Sequence, residues 1–163
     1  MMSWWTAFFI RLDFGILRAD AIVKDVKRWP LGQVGYALLA AKSLWKPQDE
    51  ARDVISQAPM AELLPSGQFG LRWQEWLTAR EHRPRVLARL FSFTQVVRMV
   101  HAGHAAVLPE MAAVDFDPKK FKWEKIDALK PRSMVFIANA RSLDRTGIAS
   151  GVEARLSEVL RLG

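Results

Sequence analysis

Residues 92–111 read SFTQVVRMVHAGHAAVLPEM, and more of the fold follows from this stretch than from any other part of the chain. Ser92 is a preferred residue for the position before a helix, and Gln95 follows three residues later, which predicts a capping box. Valines then recur at a helical spacing up to Gly103, a residue type that suits the position just after a helix. The stretch therefore predicts a helix that begins after Ser92 and ends close to Gly103.

Strands are predicted on both sides of this helix. Residues 84–91 alternate in side-chain type, and residues 105–108 form an apolar run that ends at Pro109. The result is a strand–helix–strand unit whose helix begins just beyond the carboxyl end of the first strand. In open parallel sheets, ligands bind beyond the carboxyl ends of the strands.

The start of the predicted helix is a candidate anion site. Free N–H groups at a helix start, together with the hydroxyls of Ser92 and Thr94, suit a negatively charged ligand. The plainer alternative is that Ser92 only caps the helix and Thr94 only occupies its first turn, since capping serines are common. Both interpretations are open at this point.

The rest of the chain alternates strands with helices, which predicts an α/β fold with a largely parallel sheet. Residues 18–30 are mostly polar and end at the Trp29–Pro30 break, so they are predicted to form a loop. A second loop is predicted at residues 111–117. Further strands are predicted at residues 12–17, 34–40, 61–64 and 133–139, with an edge strand within 122–129, and further helices at 48–57, 71–79 and 147–162.

The composition is that of a globular protein with excess positive charge. The chain has 163 residues, half of them hydrophobic, and 24 Lys and Arg against 17 Asp and Glu give a net charge of +7. Such a balance suits an anionic ligand or a nucleic acid. The basic clusters at residues 80–85 and 119–125 lack the spacing of an RNA-binding sheet or a DNA-reading helix. The absence of cysteine excludes disulfides, thiolate metal sites and a Cys nucleophile.

No catalytic set is recognisable in the sequence. His101 and His104 are three residues apart, but Gly103 is predicted to end the helix between them, and no nearby carboxylate completes a zinc site. Asp115 and Asp117 are paired carboxylates of a type that performs acid–base chemistry, although a solvated turn is the more common role. The sequence therefore predicts a protein that is not an enzyme and that needs no metal or cofactor.

Taken in order, these segments resemble the effector-binding domain of LysR-type transcriptional regulators. The resemblance covers nearly all of the chain after about residue 11, and it depends on the order of the segments more than on any one motif. Four stretches carry it: LDFGIL at 12–17, WPLGQVGYALLAAKSLW at 29–45, FSFTQVVRMVHAGHAAVLPEMAA at 91–113, and RSMVFIANARSLDRTGIASGVEARLSEVL at 132–160.

The resemblance implies two Rossmann-like lobes joined by two crossovers, as in type II periplasmic binding proteins. Residues 1–35 and 130–163 are expected to form the first lobe, and residues 36–129 the second. The family's winged helix-turn-helix and the first elements of lobe one have no counterpart here, so the first lobe is expected to be incomplete and the chain truncated at its N-terminus. The family's Gly-x-Gly turn is replaced by Gly103-His104-Ala105.

The resemblance also implies an effector site in the cleft between the lobes. Arg18 offers positive charge for an acidic effector, although an arginine after a strand is more often simply solvated. The residues expected to line the cleft are Ser92, Phe93 and Thr94 from the second lobe and Gly15, Ile16 and Arg18 from the first.

The expected function is regulatory sensing of a small anionic molecule, for which a carboxylate is one candidate, by a cytoplasmic homodimer or higher oligomer. The chain itself is not expected to bind DNA specifically or to enter a membrane. The N-terminal MMSWWTAFFI lacks the features of a signal peptide and is too short to span a bilayer. The alternatives are a solute-binding-like protein or a dimerising interaction module that binds no effector.

Overall fold

The computed structural model describes residues 14–21 and 24–139, together with the single residues 141 and 155. The predicted helix at 147–162 lies outside the described residues apart from residue 155, as does MMSWWTAFFI. Within this part of the chain the strands are β1 Phe14–Arg18, β2 Val26–Val34, β3 Tyr36–Ala41, β4 Pro59–Leu63, β5 Arg85–Leu90, β6 Ala106–Pro109, β7 Phe121–Lys125 and β8 Arg132–Asn139. The α-helices are α1 Ala51–Gln57, α2 Gln68–Ala79, α3 Phe93–His101 and α4 Glu110–Ala113.

The chain divides into two compact units. One unit contains the described residues up to Gln33 and from Arg132 onward, and the other is the continuous segment Val34–Pro131. The first unit therefore comes from two separate parts of the sequence. The mixture of helices and strands confirms the predicted α/β class.

The first unit contains a sheet in the order β1-β8-β2. Strands β1 and β8 are antiparallel, with Gly15 opposite Ile137 and Ile16 opposite Phe136. The predicted loop at 18–30 is wrong in its second half, where β2 runs through Trp29 and Pro30. Proline is tolerated because β2 is an edge strand of the described sheet, where a missing N–H breaks no ladder bond. The Trp29 ring packs 5.7 Å from the ring of Phe136 on β8.

The second unit contains a mixed sheet. Strand β3 is antiparallel to β6 and to β7, whereas β4 is parallel to β5. A parallel bridge between Met60 and Ala105 joins β4 to the start of β6, and the Ala61 N–H donates to the Ala105 carbonyl at 2.9 Å. The prediction of a largely parallel sheet therefore holds for β5-β4-β6, which α2 and α3 connect, and is wrong for β3 and β7.

The central strands of this sheet are buried on both faces. Leu38 on β3 packs in a cluster with Val54 of α1 and Trp73 of α2. Its neighbour Leu39 packs in a second cluster with Val96 and other residues of α3. Because successive side chains of a strand point to opposite faces, the sheet lies between α1 and α2 on one side and α3 on the other.

One smaller difference from prediction concerns the chain after α3. Helix α4, Glu110–Ala113, occupies part of the segment predicted to be a loop at 111–117. Strand β7, Phe121–Lys125, confirms the edge strand predicted within 122–129, since it lies at the edge of the described sheet β6-β3-β7. Among the described residues, no helix combines the length and apolarity needed to cross a membrane.

Candidate functional site

The candidate site lies at the carboxyl ends of β4 and β5. These strands run parallel and end level with each other, with Leu63 opposite Leu90. The Leu64 N–H donates to the Leu90 carbonyl at 2.8 Å, which continues the pairing past the last residues of the strands. Helix α2 follows β4 and helix α3 follows β5, so both helices begin at this edge of the sheet.

Ser92 caps α3 as predicted. Its Oγ accepts a hydrogen bond from the Gln95 N–H at 3.3 Å. The reciprocal half of the predicted capping box is wrong, because the Gln95 Oε1 accepts from the N–H of Phe91 at 3.0 Å, one residue before the expected donor. The two bonds together fix residues 91–95 at the junction between β5 and α3.

Two backbone donors at the start of α3 meet no acceptor in the part of the chain that the structure describes. The Val96 N–H donates to the Ser92 carbonyl at 3.1 Å, and the Gln95 N–H is used by the Ser92 hydroxyl. Within the described residues, no acceptor meets the N–H groups of Phe93 and Thr94. The Thr94 side chain is exposed beside them. The first turn thus offers two N–H groups and a hydroxyl where the helix dipole favours a negative charge.

Phe93 contributes to this site through its backbone. Its ring is half-buried and meets the ring of Phe69 on α2 edge-on, with centroids 5.2 Å apart. Phe69 in turn packs on Tyr36 of β3 at 4.8 Å. The three rings hold the starts of α2 and α3 against the sheet, so the Phe93 side chain is committed to the core.

The end of α3 confirms the prediction made for Gly103. Gly103 has a φ of +96°, and its N–H donates to the Val100 carbonyl at 3.0 Å. The His104 N–H donates to the Met99 carbonyl at 3.0 Å, which completes a Schellman motif. Ala105, which replaces the second glycine of the Gly-x-Gly pattern, is fully buried in the core.

The remaining three predicted site residues lie on β1, in the other unit. Gly15 is paired with Ile137, and the Ile16 side chain is 42% exposed. The Arg18 Nε lies 3.3 Å from the Asp20 Oδ1, so part of its charge is matched locally. The structure therefore groups Ser92, Phe93 and Thr94 in one unit and Gly15, Ile16 and Arg18 in the other.

Glu62 is a buried carboxylate that the sequence reasoning missed. Its side chain is almost fully buried on β4, and its Oε1 accepts from the Trp73 Nε1 at 2.9 Å. Its Oε2 lies 3.8 Å from the Nε of Arg89, the residue opposite it on β5. The sequence signal that could have identified this residue is a glutamate inside the otherwise apolar run PMAEL at Pro59–Leu63. The contacts fasten α2 to the sheet and hold the partly exposed Arg89 guanidinium one residue before the end of β5.

The histidines take part in packing. The His101 ring stacks on Phe116 at 4.6 Å, and the His104 Nδ1 lies 3.2 Å from the Met99 carbonyl oxygen. The described residues contain no group of three or more potential metal ligands.

Several solved structures with a similar fold are transcriptional regulators or their regulatory domains. CbnR, a LysR family transcriptional regulator, has 15% identity and a TM-score of 0.59, over 92% of this chain and 52% of its own. HinK, a LysR family transcriptional regulator from Pseudomonas aeruginosa, has 16% identity and a TM-score of 0.56, over 93% and 53%. A sulfate-bound variant of the OxyR2 regulatory domain from Vibrio vulnificus has 17% identity and a TM-score of 0.54, over 91% and 71%.

The likeness is one of structure. No protein-family model matches the sequence, and no curated protein sequence matches it either. The chain spans about half of the length of CbnR and HinK. It has the fold of the regulatory domain of LysR-family transcriptional regulators, which is similar to that of type II periplasmic binding proteins.

Proposed function

We propose that the chain belongs to the LysR family and forms the effector-binding part of a transcriptional regulator. The fold supports a regulatory role, and the sequence order of the four family-like stretches supports the same assignment. The observation that carries the proposal is the start of α3, where the N–H groups of Phe93 and Thr94 have no acceptor within the described residues. A helix start left open at the carboxyl edge of parallel strands is a ready anion site.

The proposed effector is a small anion, for which a carboxylate is one candidate. It would be held by Ser92, Phe93 and Thr94 from a second lobe at residues 36–129. Gly15, Ile16 and Arg18 would approach it from a first lobe at residues 1–35 and 130–163. The sulfate in the similar OxyR2 regulatory domain supports an anionic ligand for this type of fold.

The proposed action is a change in lobe closure and dimer geometry when the effector binds. A ligand shifts such an equilibrium only by binding one state more tightly than the other. In a regulator, the shift would alter how attached DNA-binding domains sit on an operator, in the cytoplasm. We expect no sequence-specific DNA binding by these 163 residues themselves.

Thr94→Val tests the site because it removes the exposed hydroxyl with almost no change in shape. A thermal-shift panel of sulfate and small mono- and dicarboxylates should contain at least one compound that raises the melting temperature. Calorimetry with that compound should then give an affinity about fivefold weaker for Thr94→Val, the effect of one lost hydrogen bond of about 1 kcal/mol.

Thr78→Val provides the matched control. Thr78 lies near the end of α2, and its hydroxyl donates to the Gln74 carbonyl of the same helix at 2.8 Å. Its substitution should leave the affinity unchanged. Equal affinities for the two variants, or a panel in which no anion stabilises the protein, would exclude the start of α3 as the effector site.

A dimerising module without an effector is the second candidate. Strand β5 pairs only with β4 among the described residues, which leaves its outer edge open. Leu87 on this strand is 55% exposed, and Phe91 just after it is 85% exposed. An open strand edge with apolar side chains favours association with another chain.

A further inference from the structure

We infer that the second unit carries a further oxyanion-binding site, separate from the start of α3, in a pocket between α2 and the connection from β7 to β8. The pocket has a volume of about 480 Å³. Three of its lining side chains are cations, Arg72, Arg80 and Lys130, and one is a carboxylate, Glu75. Positive charge is therefore in excess at this pocket.

None of the three cations has an acidic partner among the described residues. Within the described residues, no carboxylate oxygen lies within 4.0 Å of a side-chain nitrogen of Arg72, Arg80 or Lys130. Four other cations of this unit do have such partners, as Lys125 does with Glu110 at 3.5 Å. Three cations that share a pocket with one carboxylate leave a net positive charge there, and a bound anion reduces their mutual repulsion.

Trp76 gives the pocket a rigid wall. Its ring stacks on Trp73 at 5.1 Å and on His82 at 5.3 Å, and the Arg80 guanidinium lies 4.7 Å from its ring centre. The stacking restricts the Arg80 side chain before any ligand arrives, which lowers the entropy lost on binding. The Trp76 Nε1 is buried, and no acceptor meets it within the described residues, so this wall also contains an unused donor.

These features select the class of ligand. Guanidinium groups bind phosphate and similar oxyanions through paired N–H donors, and a lysine adds a compact charge. Because the Trp76 ring is already stacked on Trp73, His82 and Arg80, the pocket is better suited to a compact anion than to a flat aromatic one. We expect an oxyanion with about two negative charges, such as inorganic phosphate or a phosphate monoester.

The pocket lies toward the end of α2, whereas the start of α3 lies beside the beginning of α2. It is lined from Arg72 to Arg80, so it follows the later turns of α2, whereas the first turn of α2 is near the carboxyl edge of β4 and β5. At 1.5 Å per residue, Arg80 lies about 20 Å along the helix axis from Gly67. The two sites can therefore be tested independently.

Calorimetric titration of the full chain with inorganic phosphate at low ionic strength tests the inference. Lys130→Gln and Arg72→Gln should each weaken binding about fivefold, the effect expected for one exposed charge contact. Lys119→Gln removes the same charge from an exposed position outside the pocket and should leave the affinity unchanged. Arg80 is left intact because its stacking on Trp76 contributes to folding, and melting temperatures check that the other variants are folded.

Three results would overturn the inference. The first is an equal loss of phosphate affinity in Lys119→Gln and Lys130→Gln, which would mean diffuse attraction to a basic surface. The second is tight binding of a short DNA duplex without binding of free phosphate, which would assign the cations to nucleic acid. The third is weaker phosphate binding in Thr94→Val, whereas an unchanged affinity supports a separate site. Succinate in place of phosphate should bind less tightly, because its two negative charges lie on separate carboxylates and not on one compact centre.

Discussion

Ser92 has two possible uses for one hydroxyl group. Its oxygen accepts from the Gln95 N–H, which is a capping role, and its hydrogen is still available to donate to a ligand. Thr94, two residues later, has an exposed hydroxyl without a capping contact. Stability measurements on Ser92 and affinity measurements on Thr94 therefore report on different properties of the same helix turn.

Ser92→Ala should lower the free energy of unfolding by about 1 kcal/mol, because the Gln95 N–H loses its acceptor. Urea denaturation followed by circular dichroism measures this change. Ser66→Ala is the control, since Ser66 is exposed in the turn before α2, and it should change stability by less than about 0.5 kcal/mol. Equal stability of the two variants would show that the cap adds nothing.

Single residues of the candidate site could be predicted where a local rule decides them. The cap at Ser92 and the glycine at residue 103 follow from chain spacing alone. The acceptor of the Phe91 N–H could not be predicted, because the choice between neighbouring donors depends on the exact backbone turn after β5. The Glu62–Arg89 contact could not be predicted either, since it requires knowing which residues of β4 and β5 are opposite.

At the scale of elements, α3 is the best determined by its sequence. Both of its ends are held by hydrogen bonds that local residue types specify, at Ser92 and at Gly103. Strand β2 is the opposite case, because its polar residues and Pro30 are typical of a loop. It becomes a strand only through its place at the edge of a sheet, where Trp29 packs on Phe136. The direction of β3 likewise depends on which neighbours it pairs with, and no local pattern encodes that.

Gly103→Ala should lower the free energy of unfolding by about 1 kcal/mol. No atom lies within 4 Å of the position that a Cβ would take, so the loss comes from the left-handed backbone and not from a collision. Gly103→Asn should cost less, because asparagine adopts this conformation more readily. Thermal and urea unfolding of both variants compare them, and an alanine variant as stable as the wild type would contradict the strained-backbone explanation.

At the scale of the whole molecule, the order of the segments along the chain predicted the fold better than the chemistry of any single segment did. The α/β class and the likeness to LysR regulatory domains followed from the sequence order of strands and helices. The pocket beside Trp76 could not be predicted, since it combines residues 72–80 with residues 128–130, which are far apart in sequence. Sites assembled in this way carry no spacing signal.

Association is the property to measure at this scale. We expect light scattering to give about twice the mass of one chain, with the open edge of β5 in the interface. Leu87→Lys places a charge on this edge and should shift the protein toward monomer. Leu71→Lys, at a similarly exposed leucine on α2, should leave the dimer intact. A wild-type monomer at working concentration, or equal effects of both substitutions, would show that the edge of β5 is not a dimer interface.

The continuity of the segment Val34–Pro131 has a practical consequence. Residues near its two ends are in contact, since the Ile126 N–H donates to the Tyr36 carbonyl at 2.8 Å. A segment that enters and leaves a protein at adjacent points can be exchanged as a cassette without rerouting the host chain. Chimaeras that graft this segment onto another scaffold are therefore a natural way to transfer whatever it recognises.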